Sequence, residues 1–478
     1  MCAVFPGSEG SELVEKSESR KSKELQKVPR ASVSTSLSSK AGCGSKGHHT
    51  SYSGHRLRGC RFMHNVWCAI VFCRDSYCGV FVLNLPVIQD SKYTMKEKEM
   101  KFGTKAIHAG VHADAATGAI MTPIYQTSTY VQDGVGNHKG YEYSRTQNPT
   151  RHALEKNIAA IENGKYGACF GSGLAAIDCV IKMLNPGDEV ISTNDLYGGT
   201  YRLFKTIFEK YGIKFHFTGM GDASAVEALV NENTRLIWVE TPTNPMMNIV
   251  DIEEMAKISK KANAMLCVDN TFATPYLQNP LDLGADIVMH SVTKYLGGHS
   301  DVVMGALVTS DDAIAAEMYR IQNSTGAVTA PMDSFLVLRG IKTLHLRMQR
   351  HCENGEKIAH FLVTHPKIDK VFWPGFESHP GHAVAKKQMR GFGGMISFTL
   401  KGNKLADAHD IVSKVEIFAL AESLGGVESL IGHPATMTHA SIPREEREKT
   451  GVVDSLIRLS VGVEDVDDLI ADLTKALA

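Results

Sequence analysis

The sequence predicts an α/β protein, with a mostly parallel sheet in a large domain and a smaller α+β domain at the C-terminus. Three observations carry that expectation. Between about residues 165 and 290, short apolar runs of strand length alternate with stretches at helical spacing, the pattern of βαβ units. Several of these runs end in loops bearing Gly, Asp or Lys, where open α/β sheets bind ligands. The chain has 478 residues, more than a single hydrophobic core ordinarily organises.

Apolar residues make up 43% and charged residues 22%, as in a soluble globular protein. The net charge of -1 gives no argument for a nucleic acid or membrane partner. Six of the ten cysteines (Cys2, Cys43, Cys60, Cys68, Cys73 and Cys78) fall in the first fifth. The other four, Cys169, Cys179, Cys267 and Cys352, are sparse and sit in apolar surroundings, so they read as free thiols of a reducing compartment, the cytoplasm.

Residues up to about Gly59 have a disordered composition. Phe62–Ile88 is apolar, but Arg74 and Asp75 divide it into pieces too short to span a bilayer, and no secretory signal stands at the very start. Cys68, Cys73 and Cys78 recur at every fifth position, unlike the tighter pairs that hold zinc. The expected plan is residues 1–95 as a disordered or targeting extension or an upstream start, 96–150 as an arm, 151–345 as the large domain and 346–478 as the small one.

Along the arm, Thr122–Tyr130 is β-branched and aromatic, with a proline suited to an edge or to lying across another surface. His108 and His112 are four apart, but no acidic residue of a metalloprotease helix stands between them, which favours a structural role and no metal. Tyr143 and Arg145 alternate on an extended segment, so hydroxyl and guanidinium point the same way: a phosphate clamp, or an exposed arginine beside a core tyrosine. Asn148-Pro149 opens a helix at Arg151.

A strand at Gly167–Phe170 leads through Gly171-Ser172-Gly173 into a helix from Leu174 to Leu184, a phosphate cradle at a helix N-terminus. The Glu189–Ser192 strand precedes Tyr197, an aromatic ring placed to lie on a flat cofactor, and a helix through Arg202 and Phe208. Strands follow at Lys214–Phe217 and Leu236–Val239, the latter ending in the loop Glu240-Thr-Pro-Thr-Asn244-Pro245. Met265–Val268 runs straight into Asp269, a buried carboxylate that needs a cation. The Ala285–Met289 strand leads to Ser291-Val-Thr293-Lys294, whose amine can attack an aldehyde once burial or a cationic neighbour strips its proton. One crossover separates Asp269 from Lys294, so the two belong on neighbouring strands.

A phosphate at Gly173, a ring on Tyr197, a pyridinium facing Asp269 and an aldehyde at Lys294 agree on one ligand, pyridoxal 5'-phosphate. Further on, an amphipathic stretch from Asp333 through Leu338, Ile341 and Leu344 reads as one long connecting helix. Then come a strand at Gly394–Phe398, the loop Ala421-Glu422-Ser423, the strand Leu456–Val461 and a helix bearing Val466, Leu469, Ile470, Leu473 and Leu477. Arg458 interrupts the last strand and needs an anion there, either a structural Asp or Glu or a ligand carboxylate.

From about Phe102 onward the chain resembles the Cys/Met-metabolism family of fold-type I pyridoxal-phosphate enzymes. Seven motifs carry the resemblance: Tyr143-Ser-Arg145-x-x-Asn148-Pro-Thr, Ser172-Gly-Leu174, Asp195-x-Tyr197-Gly-Gly-Thr200, Glu240-Thr-Pro-Thr-Asn-Pro245, Val268-Asp-Asn270-Thr, Ser291-x-Thr-Lys294-Tyr and His299-Ser-Asp301. It implies that Lys294 holds the cofactor aldehyde and later moves protons, that Asp269 pairs with the ring nitrogen and that Tyr197 stacks on the ring. Ser172, Gly173, Leu174, Ser291 and Thr293 would hold the phosphate, with Tyr143 and Arg145 reaching it from an adjacent subunit of a homotetramer. Arg458 and Ser423, assisted by Asn244, would bind the α-carboxylate of an amino-acid substrate. Glu422 would receive a distal ammonium and Arg202 a distal carboxylate. The implied reaction is γ-cleavage of cystathionine to cysteine, 2-oxobutanoate and ammonia. The alternatives are γ-synthase chemistry, joining an activated homoserine ester to cysteine, or a scaffold of the same fold without catalysis. Glu422 favours the γ-branches over β-lyase, and Glu142, where a bacterial synthase would carry aspartate, tilts the reading to the lyase.

Overall fold

The computed structural model describes residues 69–74, 77–82, 99–440 and 443–478. The disordered composition read up to Gly59 lies outside the described residues. The chain divides into two compact units, Met1–Ile88 and Gln89–Ala478. In the first, strands Ala69–Arg74 (β1) and Tyr77–Val82 (β2) pair antiparallel with Cys73 opposite Cys78, on either side of position 75.

The second unit holds two sheets. The larger comprises Tyr166–Phe170 (β3), Glu189–Thr193 (β4), Lys214–Thr218 (β5), Thr234–Glu240 (β6), Met265–Asp269 (β7), Ile287–Ser291 (β8) and Gly305–Thr309 (β9). Its order is β3-β9-β8-β7-β6-β4-β5, and only β9 runs against its neighbours. Near-continuous apolar strands suit a parallel sheet covered on both faces. Alternation divides their side chains between two cores: Val288 and Val308 join Leu154 and Ile158 on one side, whereas Ile287, Met289 and Leu307 join Ile177 and Val180 on the other. Polar N-caps set the covering helices, with Asn148 accepting N–H groups at the start of Pro149–Ile161, and Asp251 and Asp311 doing the same for Ile252–Lys261 and Asp312–Thr325.

The smaller sheet comprises Ile368–Phe372 (β10), Met395–Leu400 (β11), Ala419–Leu420 (β12), Leu430–Gly432 (β13) and Leu456–Ser460 (β14), ordered β10-β11-β14-β13-β12. Phe398, Ile457 and Leu459 pack with Ala408, Ile411, Leu469 and Leu473 from the helices Leu405–Lys414 and Val466–Leu477. Among the described residues no helix is long and apolar enough to cross a membrane.

Two expectations are corrected in detail. The connecting helix is two helices, Pro331–Ile341 and Leu344–Thr364. They part just after Gly340, where a Cβ would lie 2.4 Å from the Gly297 carbonyl oxygen; Arg347 then donates to the carbonyls of Gly340 and Tyr295 at 3.0 and 2.7 Å. The helix through Arg202 and Phe208 is α-helical only over Gly198–Arg202, widens over Leu203–Ile207 and tightens over Phe208–Tyr211. Thr206 Oγ1 donates to the Arg202 carbonyl at 2.7 Å, competing with the regular ladder. Thr122–Tyr130 forms a single bridge, Thr129 to Tyr143, and the helix Phe102–His108 stops before His112, so the two histidines share no helical face.

Phe204 is the aromatic anchor of this region, fully buried, stacked on Phe215 at 4.5 Å and edge-on to Trp238 at 5.7 Å. Phe204→Ala is expected to destabilise the protein by about 3–5 kcal/mol. A urea unfolding midpoint indistinguishable from that of the parent would contradict this packing account.

Candidate active site

β3, β4, β6, β7 and β8 run parallel, so the loops leaving them open on one side of the sheet, where doubly wound folds bind ligands. A cavity of about 320 Å³ lies there, walled by residues of both sheets' loops. After β3, Ser172 caps the nine-residue helix Gly173–Ile181, its Oγ accepting the Ala175 N–H at 3.1 Å. A Cβ on Gly173 would lie 3.1 Å from the Ser291 side chain, so the bare backbone lets an anion approach the unpaired N–H groups of the first turn. Leu174 and Ser291 line the same wall. Thr293 does too, but its hydroxyl donates to the Met304 carbonyl at 3.2 Å and accepts the Met304 N–H at 3.0 Å, which commits it to holding the turn.

Asp269 ends β7 inside the cavity. Its Oδ1 accepts the Thr271 N–H at 3.0 Å and the Thr271 hydroxyl at 2.5 Å. Among the described residues no Lys, Arg or His forms an ion pair with it, and burial pushes its pKa up despite the Thr271 donors. The adjacent His290 is taken by Glu162, 2.5 Å away.

Lys294 follows β8, and its Nζ donates to Ser423 Oγ at 3.0 Å. Burial first, then the nearby Arg458 charge, lower its pKa to about 8, with Glu422 opposing. Such an amine carries a substantial neutral fraction near physiological pH. Ser423 holds φ at +113°, a conformation L-residues rarely adopt, which marks a loop shaped by its surroundings. Its carbonyl accepts Arg458 Nη2 at 2.9 Å, while Nη1 donates to Asn244 Oδ1 at 2.8 Å. Arg458 is buried, and no carboxylate among the described residues forms an ion pair with it, so the structural Asp or Glu partner weighed from sequence is not found. Burial lowers the guanidinium pKa to about 10. Glu422 is exposed where it lines the cavity.

Tyr197 follows β4, 41% exposed where it lines the cavity, and its N–H donates to Glu240 Oε2 at 3.0 Å. Three sequence-derived residues are not brought into this wall. Arg202 is exposed at the end of its short helix: five residues beyond Tyr197 the helical turn has rotated it to another face. Tyr143 and Arg145 also lie off the cavity. Arg145 sits 5.6 Å from the Tyr143 ring centre and donates to the Asn323 carbonyl at 2.6 Å. Conversely, Glu240 and Thr438 line the site without having been singled out. Glu240 carried a readable signal, a charge ending an apolar strand as at Asp269; Thr438 carried none.

The residues fit pyridoxal phosphate: an anion cradle at a helix start, a buried carboxylate lacking a protein cation, and a lysine whose lowered pKa makes the free amine accessible. Comparison with known proteins agrees. The family model described as "Cys/Met metabolism PLP-dependent enzyme" matches residues 103–478. The chain is 52% identical to cystathionine beta-lyase of Coxiella burnetii, covering 80% of this chain and 98% of the relative. It is 53% identical to cystathionine gamma-synthase of Mycobacterium tuberculosis, covering 78% and 96%. It is also similar to the crystal structure of cystathionine gamma-lyase from Lactobacillus plantarum complexed with L-serine, with a TM-score of 0.77, 48% identity and coverage of 79% and 98%. The chain belongs to the Cys/Met metabolism family of PLP-dependent enzymes.

Proposed function

We propose that this trans-sulfuration enzyme is a cystathionine γ-lyase, releasing cysteine, 2-oxobutanoate and ammonia. The wall in which Glu422 stands beside Ser423 and Arg458, facing Lys294, supports a site for cystathionine, and the tilt to γ-cleavage rests on Glu142. A substrate with its α-carboxylate on Arg458 can offer a distal ammonium to Glu422, which cystathionine carries and methionine does not.

When bound, the cofactor ties the substrate amine and withdraws electrons from its α-carbon. Asp269 would hold the ring nitrogen's proton, and Tyr197 would cover the ring face. Ser172, Gly173, Leu174 and Ser291 would cradle the phosphate, with Thr293 shaping the turn. Arg458, fixed by Asn244 and the Ser423 carbonyl, orients the α-carboxylate. Lys294 Nζ takes the proton from Cα, its lowered basicity keeping the amine ready to do so, and removal of a second proton, from Cβ, then lets the sulfur leave Cγ. The Tyr197 hydroxyl gives a proton to the departing sulfur.

Tyr143 and Arg145 would complete the phosphate site of a second copy in a homotetramer. The arm supports this assembly by presenting Ile120 and Val131, 85% and 88% exposed, together with Tyr143. The distal-carboxylate role stays with Arg202 only if that second copy turns it toward a neighbouring cavity. The cytoplasm is supported by the four cysteines found free among the described residues, three of them buried.

Relatives of nearly equal identity are named for three reactions, so β-cleavage and γ-synthesis are tested together with the proposal. Purified protein supplied with cystathionine alone is expected to release cysteine and 2-oxobutanoate. Pyruvate with homocysteine would mark β-cleavage. Cystathionine formed from an activated homoserine ester and cysteine, with no cleavage of cystathionine alone, would mark the synthase.

A further inference from the structure

Two acids share the floor of the cavity. Glu240 and Asp269 are register partners on the parallel strands β6 and β7, so their side chains leave the same face at the same level, a strand spacing of about 4.8 Å apart. Both are buried, at 5% and 8% exposure, and both line the cavity. Neither forms an ion pair with a Lys, Arg or His among the described residues. The ring nitrogen assigned to Asp269 supplies one positive charge to the pair, and Arg458, the buried cation elsewhere in the cavity, is held on Asn244 and the Ser423 carbonyl and forms an ion pair with neither acid. Full ionisation of both would bury an unpaired charge, at a cost proteins avoid by retaining a proton. Their hydrogen bonds divide the roles. Asp269 takes two donors from Thr271 onto Oδ1, whereas Glu240 Oε2 accepts the Tyr197 N–H.

Resting on the pyridoxal-phosphate reading of this site, we propose that Glu240 works as a neutral carboxylic acid, a positioning residue that anchors the Tyr197 loop and leaves Asp269 as the single negative charge opposite the ring. The surrounding charges are consistent with this. Asp269 on β7 and Asp195 after β4 both disfavour a charged Glu240, and burial raises its pKa more than either. On the other side, Arg458 on β14 and the N–H groups of Tyr197 and Asn244 favour the anion. His290 on β8 is engaged by Glu162, and Arg458 by Asn244 and the Ser423 carbonyl. With the two acids at matching register on neighbouring strands, one retained proton leaves the pair a single negative charge, as in other carboxyl dyads.

Infrared difference spectroscopy of the holoenzyme at pH 8 tests this, with glutamate isotopically labelled to separate it from Asp195. The carbonyl stretch of a protonated glutamate is expected in the parent and lost in Glu240→Gln. That variant mimics the neutral acid, so the pH at which the cofactor's visible absorption changes is expected to move by less than about half a unit. Glu240→Ala serves as the second variant if the first does not fold, and must lose the same band. Absence of the band in the parent, its persistence in both variants, or a shift of a full pH unit in Glu240→Gln would overturn the proposal. Asp269→Asn separates this from the site reading itself: if its cofactor absorption and retention match the parent, the assignment of Asp269 fails whatever Glu240 does.

Discussion

Lys294→Ala is expected to lower kcat by more than about 10⁴-fold, beyond what one acid–base group ordinarily supplies, because both the covalent hold and the proton carrier are lost. Borohydride treatment of the parent should leave a pyridoxyl label on the peptide containing Lys294, and the variant should carry none there. Label on another lysine would remove the centre of the proposed mechanism. The amine's environment makes a second, graded prediction. Burial and the Arg458 charge bring its pKa from 10.5 to about 8, and only the neutral amine attacks an aldehyde. A lowered pKa means the reactive form grows as pH rises and saturates above about 8. Uptake of cofactor by the cofactor-free protein should therefore accelerate about tenfold per unit below that pH and level off above it. A profile that continues to climb to pH 10 would mean that Lys294 is not desolvated as its contacts indicate.

Much of this was legible because the chemistry sits in short local signals. Asp269 ends a run of apolar strand residues and Lys294 stands on the loop just after another, and a charge at such a place is visible without any tertiary information. The strands themselves were readable for the same reason: in a sheet covered on both faces they appear as nearly unbroken apolar runs. What local pattern could not supply was approach across the chain. Lys294 meets Ser423 across a sequence separation of 129 and Arg458 meets Asn244 across one of 214, and no periodicity encodes either contact. The break after Gly340 escaped because the apolar spacing continues through it; the cause is a backbone contact with Gly297. Arg202 lies outside the cavity wall although it is only five residues beyond Tyr197, because helical rotation rather than sequence proximity determines where it faces. Glu240 was overlooked although its signal equalled that of Asp269, since an unpaired acid is recognised only after its neighbours' charges are counted.

Arg458→Ala is expected to lower kcat/KM by about 30- to 5000-fold, the equivalent of about 2–5 kcal/mol for removing one partner of a buried, hydrogen-bonded charge pair. The guanidinium is held on neutral acceptors, Asn244 Oδ1 and the Ser423 carbonyl, so its charge is anchored without being neutralised. A substrate carboxylate is the anion that completes it. That interaction persists from bound substrate to transition state, so most of the loss should appear in KM. Arg458→Lys should recover little, because an ammonium cannot span the two anchors while also presenting a planar fork to a carboxylate. Visible absorption of the bound cofactor should survive in both variants, since Arg458 is assigned to substrate. A variant with normal KM for the amino acid would show that the α-carboxylate binds elsewhere. Loss of the cofactor band together with KM would instead make Arg458 a prop for the Lys294–Ser423 contact, and the separation of the two readouts is what distinguishes binding from support.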